Sequence, residues 1–402
     1  MKLDTHFVRR LLLGVITSVL VACGGSDGDG AATPAVPSAG TLRVALTDTP
    51  ACGFDEVNVT VEKVRVHQSA SAADDAGGWS EVVLSPVKRV DLLKLTNGVL
   101  EELGATSLPA GNYTLVRLVL SSNSATTPMA NSVVPTGGVE TALDTPSGQQ
   151  SGLKVNTNVG VASNQLTDIV LDFHVCESVV TAGQSGRYIL KPVLSILPRA
   201  TATSLAVEGF VATAIANGTT SVSLQQAGVV ARATVPDSTG KFLLSPVPAG
   251  NYDLVITASG RATAVITGVP VSASSKTVVN ASTAPIDPPA STFRTASGNV
   301  TTTGSTTIPS ATMRAMQAIG TPKIEVIARP VDSVTGAYSF SLPIVAPVRT
   351  AYASGATTLA FTPEASVAAK YKVEAHVPTK TTQIANVDLT SANVVTPFMF
   401  AP

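Results

Sequence analysis

Apolar and polar positions alternate with a period of two through most of the chain beyond residue 40. Leu42, Val44 and Leu46 alternate until Thr47-Asp48-Thr49-Pro50 interrupts them. Val57, Val59 and Val61 then fall on odd numbers, and Val64 and Val66 on even ones. A slip of one residue exchanges the two faces of a strand, so this change of phase predicts a β-bulge at Glu62-Lys63. Further strands are predicted at residues 81–84 after Trp79, at 113–120, and where Ile169, Leu171, Phe173 and Val175 share a face. Asn97-Gly98 is a hairpin signal. Residues 188–196 close this block, with Pro192 pointing to an edge. One turn occurs twice, as Pro109-Ala110-Gly111-Asn112-Tyr113 and as Pro248-Ala249-Gly250-Asn251-Tyr252. Proline ends the preceding segment, glycine permits the bend, and tyrosine opens an alternating strand. Its reuse predicts antiparallel β-sandwich units in series.

The same pattern continues toward the C-terminus. Gly209-Phe210-Val211, residues 221–224 and 229–234, an Asp237-Ser238-Thr239-Gly240-Lys241-Phe242 turn and residues 253–258 describe a second sandwich. Pro285, Pro288 and Pro289 mark a linker. A third, degenerate copy opens at Gly298-Asn299-Val300, repeats the glycine turn at residues 332–340 and lacks the Pro-Ala-Gly-x-Tyr turn. Within it, residues 310–319 read equally as a loop or as a short helix, capped by Ser310 with Met313, Met316 and Ile319 on one face. The expected fold class is all-β, with tandem antiparallel β-sandwich domains of Ig-like or transthyretin-like type at 41–198, 206–282 and 297–402, and a linker at 283–296.

Composition agrees with that class. Of 402 residues, 44% are hydrophobic, only 4% aromatic and 13% charged, with 31 Gly and 26 Pro. Such a mix suits short strands joined by turns. The formal net charge of −1 supplies no field for nucleic acid.

The first 22 residues read differently. Lys2, Arg9 and Arg10 precede an apolar run at 11–21 that is too short to span a bilayer, the form of an export signal. Its end, Leu20-Val21-Ala22-Cys23-Gly24, resembles the bacterial lipoprotein lipobox. The resemblance implies that Cys23 is acylated and becomes the first mature residue, with the lipid bilayer as partner. Gly24 after that cysteine favours passage to the outer membrane. Residues 23–40 are a Gly-, Ala- and Pro-rich tether.

The blocks GTLRVALTDTP, FDEVNVTVEKVRVH, VDLLKLTNGVLEELG, LPAGNYTLVRLVL, TDIVLDF and GRYILKPV resemble an envelope family known only as domain-of-unknown-function family 4382. That resemblance covers residues 40 to 193 and implies a fold and an envelope habitat, with no activity. The second sandwich is similar to the carboxypeptidase regulatory-like domain, a non-catalytic, transthyretin-like module. Its fold is also called carbohydrate-binding-like.

Candidate chemistry is sparse. With Cys23 acylated, Cys52 and Cys176 are the cysteines left. Export favours a disulfide between them, of about 3–5 kcal/mol in the chain-entropy model; a metal site with His174 and two free thiols are the alternatives. Asp172 and His174 share a strand face, read either as a ligand or acid–base pair or as a solvent-facing polar stripe. Asp48, Asp55 and Glu56 are read either as a calcium site or as turn and cap residues. Asp27 and Asp29 belong to the solvated tether. Trp79 is the candidate for glycan contact, against a role in core packing. Neither H-E-x-x-H, C-x-x-C nor a phosphate-binding glycine loop occurs. No catalytic residue, metal or cofactor is therefore nominated. The expectation is a non-catalytic, lipid-anchored envelope protein that binds an envelope protein or has a structural role; the alternative is a carbohydrate-binding surface lipoprotein.

Overall fold

A computed structural model describes residues 38–48, 53–146, 148, 152–199 and 205–402. Ser38–Pro402 forms one compact unit, nearly all β in its described residues, and holds three main hydrophobic clusters, each between two sheets. Cys23 and Cys52 lie outside the described residues. Among the described residues no helix is long and apolar enough to cross a membrane.

The first lobe packs a four-stranded sheet on an eight-stranded one. Ala39–Asp48 lies central in the smaller sheet, antiparallel to Glu101–Pro109 and parallel to Leu166–Phe173. Phe54–His67 is central in the larger sheet, and its pairing shifts between Val61 and Lys63, where the hydrophobic phase predicted a bulge. The shift keeps both Val57–Val61 and Val64–Val66 inside: all five valines are at most 2% exposed.

The second lobe opposes a three-stranded sheet, Lys241–Leu244, Val207–Phe210 and Thr277–Val278, to a six-stranded one. The repeated turn has one geometry in both lobes. Tyr113 Oη donates to the Pro109 carbonyl at 2.9 Å and Tyr252 Oη to the Pro248 carbonyl at 2.8 Å. Both strands then shift register directly after the tyrosine. Each ring enters its core while its hydroxyl ties the strand back to the turn that launches it, which is why this five-residue unit is reusable.

The third lobe shares three local features with the second. Gly209 lies opposite Phe242 and Gly298 opposite Tyr338. A Cβ at Gly209 would stand 2.4 Å from Phe242 Cζ, and one at Gly298 2.9 Å from Tyr338 Cε1. Only glycine lets the ring cross the backbone there. Two residues on, Val211 and Val300 donate their N–H to the carbonyls of Gly240 (2.8 Å) and Gly336 (2.9 Å), which hold φ of +85° and +69°. Asp237 and Asp332 bind the backbone of these two turns.

Two expectations need correction. Residues 310–319 form neither helix nor loop but the strand Thr312–Ala318. Its register shifts between Ala315 and Met316. Met313 and Ala315 therefore face the third core, while Ile319, beyond the shift, packs with Val255, Val265 and Ile324 on the second lobe. The three-residue spacing comes from two strand halves out of phase. The proline-rich segment at 283–296 is not a free linker. Ile286 bridges to Val211 and is buried in the second core, and Phe293–Thr302 already starts the third lobe. Exchange also runs the other way. Val348–Ala351, from the stretch assigned to the third sandwich, pairs in parallel with Ala264–Val271 of the second.

Tyr252→Phe keeps the ring and removes the hydroxyl bond. It is expected to lower stability by about 1 kcal/mol, read as a shifted midpoint in chemical denaturation.

Candidate binding cleft at the junction of three lobes

The lobes meet through polar side chains that cross from one to the next. Arg232, on Val229–Thr234 of the second lobe, is 1% exposed and enters the first. Its Nη1 donates to Asp172 Oδ1 at 2.5 Å and its Nη2 to Thr47 Oγ1 at 2.7 Å. Asp172 and Thr47 are fully buried on the neighbouring strands Leu166–Phe173 and Ala39–Asp48. Asn97 clamps the same junction: its N–H donates to Thr234 Oγ1 at 2.6 Å, and its Oδ1 accepts from Leu243 N at 2.5 Å. The predicted hairpin signal Asn97-Gly98 is thus a lobe contact, with Asn97 at φ +57°.

Between the second and third lobes, Gln225 acts as a strand partner. Its Nε2 donates to the Glu325 carbonyl at 2.9 Å, and its Oε1 accepts from Glu325 N at 2.8 Å. Arg314 donates to the Gly228 carbonyl and, at 2.5 Å, to Glu325 Oε2. Between the third and first lobes, Asp332 Oδ2 accepts from Thr181 Oγ1 at 2.9 Å and from Gly183 N at 2.7 Å.

These junctions surround a cleft of about 1150 Å³. Phe54, Asp55, His174 and Glu177 line it from the first lobe, Asn217, Thr220 and Ser223 from the second, and Glu325 to Arg329 from the third. Its wall is rich in hydroxyls and carboxylates. Burial pushes the Glu325 carboxyl up; Arg314 opposes the rise, Glu177 adds to it and His174 opposes it. Four ionisable groups from two lobes therefore share one field. His174 Nε2 lies 3.3 Å from Ser195 Oγ and 4.0 Å from Asp172 Oδ2.

The candidates read from sequence are distributed unevenly. Asp172 is neither a solvent-facing residue nor an open acid–base partner, because it is sealed against Arg232. His174 and Cys176 line the cleft. The cysteine expected to pair with Cys176, Cys52, lies outside the described residues. Asp48, Asp55 and Glu56 do not converge: they accept from Val175 N, Gly137 N and Asn58 Nδ2 respectively. Trp79 belongs to none of the hydrophobic clusters. Its ring lies over two guanidiniums, with Arg65 Cζ at 4.4 Å and Arg117 Cζ at 4.5 Å, and its Nε1 donates to the Ala73 carbonyl at 3.0 Å. Arg65 and Arg117 are cross-strand neighbours, so the tryptophan seals a buried arginine. Arg232, Gln225 and Glu325 escaped sequence reasoning. The available signal was a single arginine inside an otherwise uncharged apolar strand, which both Arg117 and Arg232 display.

Two measurements probe the junctions. Arg232→Met strands the Asp172 carboxylate and is expected to cost about 3–5 kcal/mol, much of it recovered by adding Asp172→Leu; denaturation of both variants checks this. For Asp332, burial pushes the carboxyl up, but hydrogen bonds from Thr335, Thr181 and Val334 outweigh it and hold the value at about 2, against 3.8 for the free side chain. A depressed carboxyl stabilises the fold fully above its unfolded value and less as pH falls through the folded one. Stability is therefore expected to decline between pH 4 and pH 2, with a shallower decline in Asp332→Asn.

Comparison with curated proteins gives no match. Solved structures align over part or most of the chain at low similarity. A type II cohesin–X–dockerin complex from Acetivibrio cellulolyticus aligns at 24% identity, over 21% of this chain and 58% of its own, with a TM-score of 0.18. A second structure of that complex is spanned over 55% of its length. A streptococcal ancillary pilin aligns at 10% identity over 90% of this chain and 99% of its own, TM-score 0.18. The major pilin SpaD of Corynebacterium diphtheriae aligns at 9% identity over 92% and 99%, TM-score 0.18. In family terms, residues 39–192, less than half of the chain, match the model described as a domain of unknown function, DUF4382.

Proposed function

We propose that this chain is a non-catalytic protein of the bacterial cell envelope, held at the outer membrane by lipid on Cys23, that binds an envelope partner in the cleft between its lobes. The cleft carries the binding part of this reading: three sandwiches contribute to one concave surface, and polar cross-links hold the lobes around it. Its ionisable groups support a binding role over a reactive one. Glu325 is committed to Arg314, and Asp172 behind the cleft to Arg232. Trp79, stacked and hydrogen-bonded within its own lobe, is engaged where a glycan platform needs a free ring face, which favours a protein partner. The second sandwich, with its crossing glycine and its Asp237 turn, is proposed to be of the carboxypeptidase regulatory-like type.

The anchor rests on the lipobox resemblance. Each buried methylene adds about 0.8 kcal/mol, so several acyl chains on one residue hold firmly. Cys52 is proposed as the partner of Cys176. Cys23→Ser is expected to move the protein from the membrane to the soluble fraction; unchanged fractionation removes the anchor. The mass of the unreduced mature protein should show acyl additions and the loss of two hydrogens. Cross-linked affinity purification from envelopes should recover a partner with the wild type that Glu177→Arg, in the cleft, fails to retain.

A further inference from the structure

We propose that His174 is a proton-operated latch at the three-lobe junction, which tightens as pH falls through the range where imidazoles charge. As regulation of the cleft, the idea rests on the reading of that cleft as a binding site; the latch itself is a property of the unliganded protein.

His174 sits where the cleft meets the buried ion pair. Its backbone N–H donates to the Val193 carbonyl at 2.9 Å, and its ring lies 3.3 Å from Ser195 Oγ. The side chain is 15% exposed, open to protons from the cleft. Behind it, Asp172 is fully buried and uses Oδ1 for Arg232, while Oδ2 meets no hydrogen-bond donor. That oxygen is 4.0 Å from His174 Nε2, about 1 Å beyond a charge-assisted hydrogen bond. A neutral imidazole carries one N–H, whereas the protonated ring donates from both nitrogens.

Charged groups stand near the ring on several elements. Asp172 stands 4.0 Å from it at the end of the strand Leu166–Phe173, and Glu177 lies on the helix Val175–Ser178 that His174 precedes. Asp48 accepts from Val175 N next door, and Glu325 shares its field from the strand Lys323–Pro330. The opposing cations are Arg232, bound to Asp172, and Arg314, bound to Glu325. Asp55 and Arg329 also line the cleft.

One proton then acts on two junctions. It completes Asp172, which holds Arg232 of the second lobe, and it attracts Glu325, which the Gln225 amide ties to the same lobe from the third. A group stabilised in its protonated form contributes below its folded pKa and loses that contribution as pH rises through it. The latch is closed in mild acid and relaxed in mild alkali.

Hydrogen exchange on the mature wild-type protein, corrected for intrinsic rates, tests this between pH 5.5 and 7.5. Amides in Val229–Thr234 and Lys323–Pro330 are expected to gain severalfold protection in acid, following the titration of the His174 ring resonance. His174→Gln should abolish the gain, whereas His67→Gln, at the Trp79 site, should keep it. A gain shared equally by wild type and His174→Gln, or no gain at all, overturns the latch. The wild-type ring titration and exchange profile stand alone if His174→Gln fails to fold: junction protection that does not follow the ring signal is the contrary result. No ligand enters these measurements, so failure to recover an envelope partner counts against the binding reading and leaves the latch to its own data.

Discussion

A single buried ion pair sets the arrangement of this molecule. Arg232 leaves its own sandwich and completes the interior of another, where Asp172 and Thr47 receive it. Withdrawing a carboxylate and a guanidinium from water is costly, and their attraction offsets that cost only when the geometry is good. Such a pair adds little net stability compared with an apolar contact of the same shape. It does, however, penalise every alternative. A first and second lobe docked in any other orientation would leave two charges buried and unpaired. The pair therefore works as a key for lobe orientation, and the polar contacts of Asn97, Gln225 and Asp332 follow once that orientation is set.

Within the second and third lobes a different constraint rules, the close crossing of backbone and ring. Gly209 and Gly298 have room for no side chain because Phe242 and Tyr338 lie across them. The glycine turns at Gly240 and Gly336 press on the carbonyls of Val211 and Val300 in the same way. In a chain with only 4% aromatic residues, Phe242 and Tyr338 each fix a crossing. That economy explains why the third lobe keeps the glycine strand and the aspartate turn after losing the Pro-Ala-Gly-x-Tyr unit: the crossing defines the sandwich, and the tyrosine turn only reinforces one strand.

The same physics decides what the sequence could reveal. Strand phase is local, so the bulge at Val61 to Lys63 was legible from valines on odd and then even positions. The strand Thr312–Ala318 was not, because its own bulge gave Met313, Met316 and Ile319 a helical spacing, and the two halves serve different lobes. The segment at 283–296 reads as a linker by composition, yet Ile286 finds a place in the second core, a contact that no local pattern encodes. Asp172 looked like part of a polar stripe because its partner lies sixty positions away on another lobe. Periodicity identifies which residues face inward within one sandwich; it does not say that an outward face will be covered by the next.

The cleft follows from these constraints. The lobes extend their cores by sharing material. Val348–Ala351 is lent to the second sheet, Ile286 laces the second core, and Ile319 and Ile324 cover Val255 and Val265. Each shared piece draws two convex sandwiches together, but three such bodies cannot fill the space among them. The gap is lined by the ends of strands and by short polar side chains, because those are what the sandwiches leave at their margins. His174 stands where this gap comes close to the buried pair. Charge arriving there reaches the orientation key directly, and that makes the junction, more than any single lobe, the part of the molecule able to respond to its surroundings.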